Sequence, residues 1–374
     1  MNVLFDASCL MKELTGVGVY VRDLLDRMIP MDETIRYTIF MNAMKGETPR
    51  FPWTQSPNVT IVRRRIPGKL LLESWRRNGP PSIETLAGCS PDLFHSPNFL
   101  YQRTGVIPVI ATIHDLAFLK RPQYGDRYAG RYHRETLTRN LHRANRCVVV
   151  SHAVEQDLQQ HCGVNPDRIS VIHHGLNPLF SPTVRPQAMR YTQRFPRRFL
   201  LTVGSVEPRK NMPLLVKAFG RIVPDHPDLY LVIAGRAADG LIDLENAVRE
   251  AGVSSRVQLT GYIDLDHLIA LNQHALAAVF PSWDEGFGFP PLEALACGTP
   301  VLASDIPVHR EILDDAAWFF QADSVDALEE LLRHKLAQPD SLVEKRQVGW
   351  DRARFFSWEN AARKHIALYR SLVA

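Results

Sequence analysis

Two carboxylates, Glu285 and Glu293, stand eight positions apart in PSWDEGFGFPPLEALACGTPVLAS, residues 281–304, with Gly-Phe-Gly and Pro-Pro between them. At about 1.5 Å rise per residue, that spacing separates them by up to roughly 12 Å. They are too far apart to share a proton, and the spacing is not that of metal ligands. It suits two separate sets of hydroxyls with a phosphate group between, the outline of a nucleotide sugar. Glycines in the turn let a ligand approach the backbone closely. If Pro290-Pro291 opens a helix, its free N–H groups and dipole attract an anion there. A second cluster, Glu207-Pro208-Arg209-Lys210-Asn211, follows the apolar run FLLTVG. Its guanidinium can grip a diphosphate bidentately and its ammonium can act as a point charge. The plainer alternative makes Glu293 a core salt bridge, Glu285 a cap and Arg209-Lys210 a solvated surface pair.

These residues need strands that end at one edge. Short apolar runs alternate with helical patterns along the whole chain. NVLFD, RYTIFM, NVTIVR, DLFH, PVIATIH, RCVVVS and RISVIH occupy the first half; RFLLTVG, LYLVIAG, RVQLTG, AAVFPS, PVLAS and AWFFQ occupy the second. Most are continuous in Val, Ile, Leu and Phe, as in strands covered on both faces. Strand–helix alternation predicts parallel α/β sheets, whose ligands bind beyond the strands' carboxyl ends. The stretch 177–198 holds four prolines and no apolar periodicity, and is predicted to be a linker. Two Rossmann-like domains facing across a cleft are expected. The last segment, SWENAARKHIALYRSLV, is an amphipathic helix with Ser357 as its N-cap.

The 374-residue length favours two domains. Hydrophobic content of 45% with 22% charged residues is that of a soluble globular protein. A net charge of +4 is compatible with anionic partners, nucleotide phosphates included, and too weak to indicate nucleic acid. Five scattered cysteines without a CxxC pair exclude a disulfide framework or a zinc site and favour a reducing compartment. No signal peptide or run long enough to span a bilayer is evident. The expected location is cytoplasmic, with a peripheral position on the inner face of the cell membrane as an option. That option rests on residues 63–77, where Arg63, Arg64, Arg65, Lys69, Arg76 and Arg77 flank Leu70, Leu71, Leu72 and Trp75. Such a stretch suits an anionic bilayer surface or a solvated helix face.

VGSVEPRKN together with PSWDEGFGFPPLEALACGTPV resembles the retaining glycosyltransferases of family 4, which have the GT-B fold. Glu285 and Glu293 match the family's E-x7-E motif. GVGVYVRDL, THDLAF, VVVSHAVEQDL and VIHHGLNPLF extend the resemblance over most of the chain in the family's order. The resemblance implies an acceptor-binding domain at 1–177, a linker at 178–198, a nucleotide-sugar domain at 199–356, and a C-terminal helix, 357–374, packing back on the first domain. It implies that Arg209 and Lys210 hold the donor diphosphate, with Gly204 beside them. Glu285 would contact the transferred sugar, flanked by the backbone of Gly286, Phe287 and Gly288, and Glu293 would bind the ribose. Tyr262 and Ile263 would lie near the base, and His114 on the acceptor side of the reacting carbon. Gly16 and Gly18 would form a loop over the phosphates. The family often has Arg where this chain has Ser205, which leaves Arg209 and Lys210 with more of the phosphate charge.

The implied reaction moves a hexose from a nucleoside diphosphate sugar to a saccharide or lipid-linked saccharide in polysaccharide biosynthesis. It does so with retention and without a metal or other cofactor. The VGSVEPRKN variant leans toward GDP-mannose or a related GDP-sugar. A sugar-nucleotide epimerase and a non-catalytic binding partner of a synthase are the alternatives. Asp264-Leu265-Asp266 has the DxD form of metal-dependent transferases, but Asp264 is placed as a helix N-cap. His173-His174 is assigned to hinge packing or sugar contact, and a structural role is the alternative for His114.

Overall fold

The computed structural model describes residues 1–11, 14, 16–120, 127–183 and 195–373. All thirteen apolar runs named above form strands: β1 Asn2–Asp6, β2 Arg36–Asn42, β3 Val59–Arg64, β4 Leu93–Ser96, β5 Val109–Ile113, β6 Arg146–Val149 and β7 Ile169–Val171, then β8 Phe199–Val203, β9 Tyr230–Ala234, β10 Val257–Gly261, β11 Ala277–Phe280, β12 Val301–Ser304 and β13 Ala317–Phe320. Every pairing between them is parallel. The first seven form one sheet in the order β3-β2-β1-β4-β5-β6-β7, and the other six form β10-β9-β8-β11-β12-β13. Both are α/β sheets with the strand order of a doubly wound fold, reversing direction between the first and fourth strands of each set. Residues of β5, β8 and β11 are buried throughout, as all-parallel strands covered on both faces must be.

The chain divides into two compact units, Met1–Gly175 with Ser357–Ala374, and Leu176–Phe356. In the first, the C-terminal helix Trp358–Val373 packs along the helix Gly16–Met31. Ser357 caps the C-terminal helix, its Oγ accepting from the Asn360 N–H at 3.2 Å. Ion pairs Arg27–Glu359 (3.0 Å) and Arg370–Asp32 (2.5 Å) fix its two ends. Gly175 lies against the start of this helix, where a Cβ would stand 2.1 Å from the Trp358 nitrogen.

Part of the proline-rich stretch is packed rather than free. Phe180 is buried in the second unit, and Gln273 donates to the carbonyls of Ser181 and Thr183. The proline count missed this because one phenylalanine and two carbonyls suffice to anchor a segment without periodicity. Residues 184–194 of the predicted linker lie outside the described residues.

Candidate active site

In the second unit the direction-reversing strands are β8 and β11, and the loops that leave their carboxyl ends carry the chemistry. After β8, Gly204 adopts φ +147, and Pro208–Lys210 form a short 3-10 turn. Asn211 follows at φ +49, a left-handed conformation that asparagine tolerates better than most residues. It begins the helix Met212–Ile222, whose apolar face is buried in the unit's core. After β11, residues 281–288 run to Gly288 at φ +85, which caps the helix Phe289–Ala296; its proline-opened start agrees with the sequence. The Trp283 N–H donates to the Arg209 carbonyl at 2.9 Å and ties the two loops together.

Three of the expected residues meet there. Glu285 accepts from Arg209 Nη1 at 2.7 Å on one oxygen and from Lys210 Nζ at 2.5 Å on the other. Ser282 Oγ also donates to Glu285, at 2.7 Å, and Arg209 Nε reaches Glu207 at 2.9 Å. Glu285 and Lys210 are buried. Burial alone would raise the Glu285 pKa, but Lys210 and Arg209 outweigh it and hold the carboxyl well below the usual range. Burial pushes Lys210 down while Glu285 opposes that shift. The ensemble is therefore a buried, ionised cluster with one carboxylate clasped by two cations.

Gly286, Phe287 and Gly288 are buried beside it, Phe287 packing edge-on against Phe289 and Phe356. Glu293 is half-buried on the helix Phe289–Ala296. Gly204 packs against the Lys210 stem, 3.3 Å from where its own Cβ would be. Tyr262 is exposed and Ile263 half-buried, just after β10. Asp264 is a helix N-cap as expected, its carboxylate accepting from the His267 N–H at 2.9 Å.

The remaining expected residues belong to the first unit. His114 directly follows β5 and donates Nε2–H to the Pro97 carbonyl at 2.8 Å, so Nδ1 keeps its lone pair. Burial lowers its pKa, which keeps the ring neutral. Gly16 and Gly18 do not form a loop. They are the first and third residues of the helix Gly16–Met31, and a Cβ at Gly18 would meet the end of the Leu14 side chain at 2.9 Å, which would have to shift. Their spacing suits helix packing as well as a turn, which the sequence could not separate. His174 is buried against Tyr20 and Trp358, ring centroids 4.8 and 5.6 Å away. In 63–77, Leu71 and Trp75 are buried and Leu70 is exposed, while Arg76 and Arg77 both pair with Glu73.

Three residues around the cluster were not foreseen: Ser282, His309 and Arg236. Arg236 follows β9 and donates to Ser205 Oγ at 3.3 Å, placing a cation beside the serine that stands where the family often has arginine. Each lies far in sequence from its partner or makes contact through a backbone carbonyl, and no motif marks such contacts.

Comparison with known proteins bears on the fold and the activity. Residues 14–178 match the model described as Glycosyltransferase Family 4, and residues 190–349 match Glycosyl transferases group 1. The chain is a glycosyltransferase, with a family 4 domain followed by a group 1 domain. This glycosyltransferase is 26% identical to O-antigen chain mannosyltransferase B of Escherichia coli over the whole of both chains. It is 28% identical to the O-antigen chain mannosyltransferase RfbU of Salmonella typhimurium over 62% of each. Sucrose-phosphate synthase of Thermosynechococcus elongatus shares the fold at TM-score 0.77 and 21% identity, covering 99% of this chain and 98% of that one. WaaG, a glycosyltransferase of lipopolysaccharide biosynthesis, shares it at 0.74 and 16%, covering 99% of each. No helix among the described residues is long and apolar enough to cross a membrane.

Proposed function

We propose that the enzyme transfers mannose, or a closely related hexose, from a GDP-sugar to a saccharide or lipid-linked saccharide acceptor in polysaccharide biosynthesis, with retention and without a metal. The observation that carries the reading is the clasp of Glu285 by Arg209, Lys210 and Ser282 at the direction-reversing edge of the second sheet. The mannosyltransferase names of the relatives support the choice of sugar.

On this reading Glu285 and Glu207 compensate the two cations before substrate arrives, because an unpaired buried charge is costly. The donor diphosphate takes over Arg209 and Lys210, and Glu285 turns to the hydroxyls of the transferred sugar. As the anomeric bond breaks, charge grows on the leaving diphosphate. The two cations and the start of the helix Phe289–Ala296 meet that charge, as preorganised electrostatic stabilisation. Gly204 and the 286–288 backbone leave room for the phosphates, Glu293 takes the ribose, and Tyr262 and Ile263 flank the base. We assign His114 Nδ1 to a substrate hydroxyl.

A thermal-shift panel of nucleoside diphosphates and their sugars tests the donor, followed by turnover with saccharide acceptors. GDP and GDP-mannose are expected to stabilise the protein most. A larger response to UDP compounds would overturn the donor assignment, and nucleotide release without any acceptor would favour the epimerase. Activity should persist in chelator; a strict requirement for Mg or Mn would return Asp264 to consideration.

A further inference from the structure

His309 lies in the second unit, on the helix Pro307–Leu313, and is 1% exposed. Its Nδ1 sits 2.9 Å from the Ser304 carbonyl and 3.2 Å from Ser304 Oγ. A carbonyl can only accept, so Nδ1 carries the proton. Ser304 Oγ in turn donates to the Ser282 carbonyl, and Ser282 Oγ donates to Glu285. Buried hydrogen bonds thus tie the imidazole to Ser304 and Ser304 to the Ser282 backbone, and the Ser282 hydroxyl holds the carboxylate.

The Ser304 carbonyl fixes the tautomer. With Nδ1 protonated, Nε2 holds a lone pair and is a pure acceptor. Nε2 is buried and has no hydrogen-bond partner among the described residues. The ring's Cδ2, bonded to Nε2, stands 3.9 Å from the position a Cβ would take at Gly288, so this edge of the ring faces the Gly-Phe-Gly turn. The ring also feels the charges of both Glu285 and Lys210. Burial holds its pKa below the ordinary histidine value, so the ring is neutral at pH 7. A buried acceptor without a donor costs free energy unless a ligand supplies one. A phosphate oxygen cannot, since it has no proton to give; a sugar hydroxyl can.

We propose that His309 Nε2 accepts a hydrogen bond from a hydroxyl of the transferred sugar, and so makes His309 a specificity-determining residue beside Glu285. The inference rests on the donor-site reading above. It adds that sugar recognition reaches across to the helix after β12, through an acceptor that cannot hold the diphosphate.

The test compares GDP with GDP-mannose by calorimetry at pH 7.5 on the full chain. His309→Asn keeps an N–H for the Ser304 carbonyl and removes the acceptor. It should weaken GDP-mannose about 3- to 10-fold, the scale of one hydrogen bond, and leave GDP within about twofold. His309→Gln, whose amide oxygen reaches further, should recover part of the loss. Equal weakening of GDP and GDP-mannose would make His309 only a support for the turn and overturn the proposal, as would no weakening of either. Should His309→Asn fail to fold, the 15N resonance of Nε2 in the wild type decides. It should move when GDP-mannose binds and stay still with GDP; the same position with both ligands overturns the proposal. If wild type binds no nucleoside diphosphate or nucleotide sugar, the donor reading itself fails, which is a different outcome from a wild type that binds both and variants that do not discriminate.

Discussion

Glu285 could serve the fold, the reaction or both, and the cluster's chemistry separates these roles. Lys210→Ala leaves the carboxylate buried with only Arg209 and Ser282, and breaking a buried pair typically costs about 3–5 kcal/mol. Glu285→Ala leaves two cations facing each other. Each single variant should lose at least about 100-fold in turnover, the scale of a lost electrostatic stabiliser, and should also melt earlier. Replacing both by apolar residues, Lys210→Met with Glu285→Leu, removes the unpaired charge as well as the pair. The double variant should recover most of the melting temperature and none of the activity. Thermal melts and turnover measured on the same samples check this. A double variant that stays as unstable as the singles would show that packing, not charge, dominates, and near-normal turnover in both singles would sink the site. At this scale the sequence was legible where a motif is compact: Arg209, Lys210 and Glu285 sit in two short stretches whose residue types declare a phosphate and hydroxyl chemistry. His309 was hidden because it bonds the Ser304 carbonyl, and no side-chain pattern encodes a backbone acceptor; Ser282, three residues before Glu285, was hidden because a serine there also suits a plain turn.

Elements hold these loops apart or together through glycines at specific approaches. Gly235 ends β9 where a Cβ would stand 1.9 Å from the Gly204 carbonyl oxygen, a backbone atom that cannot simply swing away. Gly235→Ala should therefore push the β8 turn and its Arg209-Lys210 pair out of register, costing about 1–3 kcal/mol of stability by overpacking and weakening donor binding with it. Gly16 is the opposite case. It is exposed in the first turn of its helix, with nothing within 4 Å of an added Cβ. Gly16→Ala should be neutral or stabilising by about 0.4–1 kcal/mol if the residue has only a helical role. A large loss of donor affinity with unchanged stability would instead restore the close phosphate approach that the motif suggested. The strands themselves were readable throughout, since continuous Val, Ile and Leu runs of strand length bounded by polar turns fit a parallel sheet. What could not be read was whether GVG began as loop or helix, because glycine suits both.

The two units differ in what acid does to them. The first buries His95, His114, His174 and His365, and burial lowers all four pKa values, that of His365 to about 4. His365 and His95 also bond the ring hydroxyls of Tyr20 and Tyr369, so their neutral forms help join the C-terminal helix to the helix Gly16–Met31 and to β4. A histidine held neutral in the fold takes up its proton only in the unfolded chain once pH falls below about 6.5. Stability from such a group is complete above that value and drains away as pH drops through the window down to the folded value. For His365 alone the loss by pH 4 is about 3 kcal/mol. The second unit buries His309, which behaves alike, but its central cluster works in the other direction. Glu285 is held charged, so its contribution is complete above the ordinary carboxylate pKa and drains away as pH falls below that value toward the depressed folded one. Between pH 6.5 and 4 the first unit should thus weaken first. Hydrogen exchange at pH 7 and pH 5, corrected for intrinsic rates, should show protection falling in peptides covering 92–98 and 358–373, with little change over 277–304. Parallel loss in both sets would mean that the two cores unfold as one and that the histidines do not set the order. Unchanged protection in both would mean that the unfolded chain gains no protons over the folded one in this window. His365→Phe, which keeps the packing and removes the titration, should flatten the response of the first unit by about the share assigned to that ring.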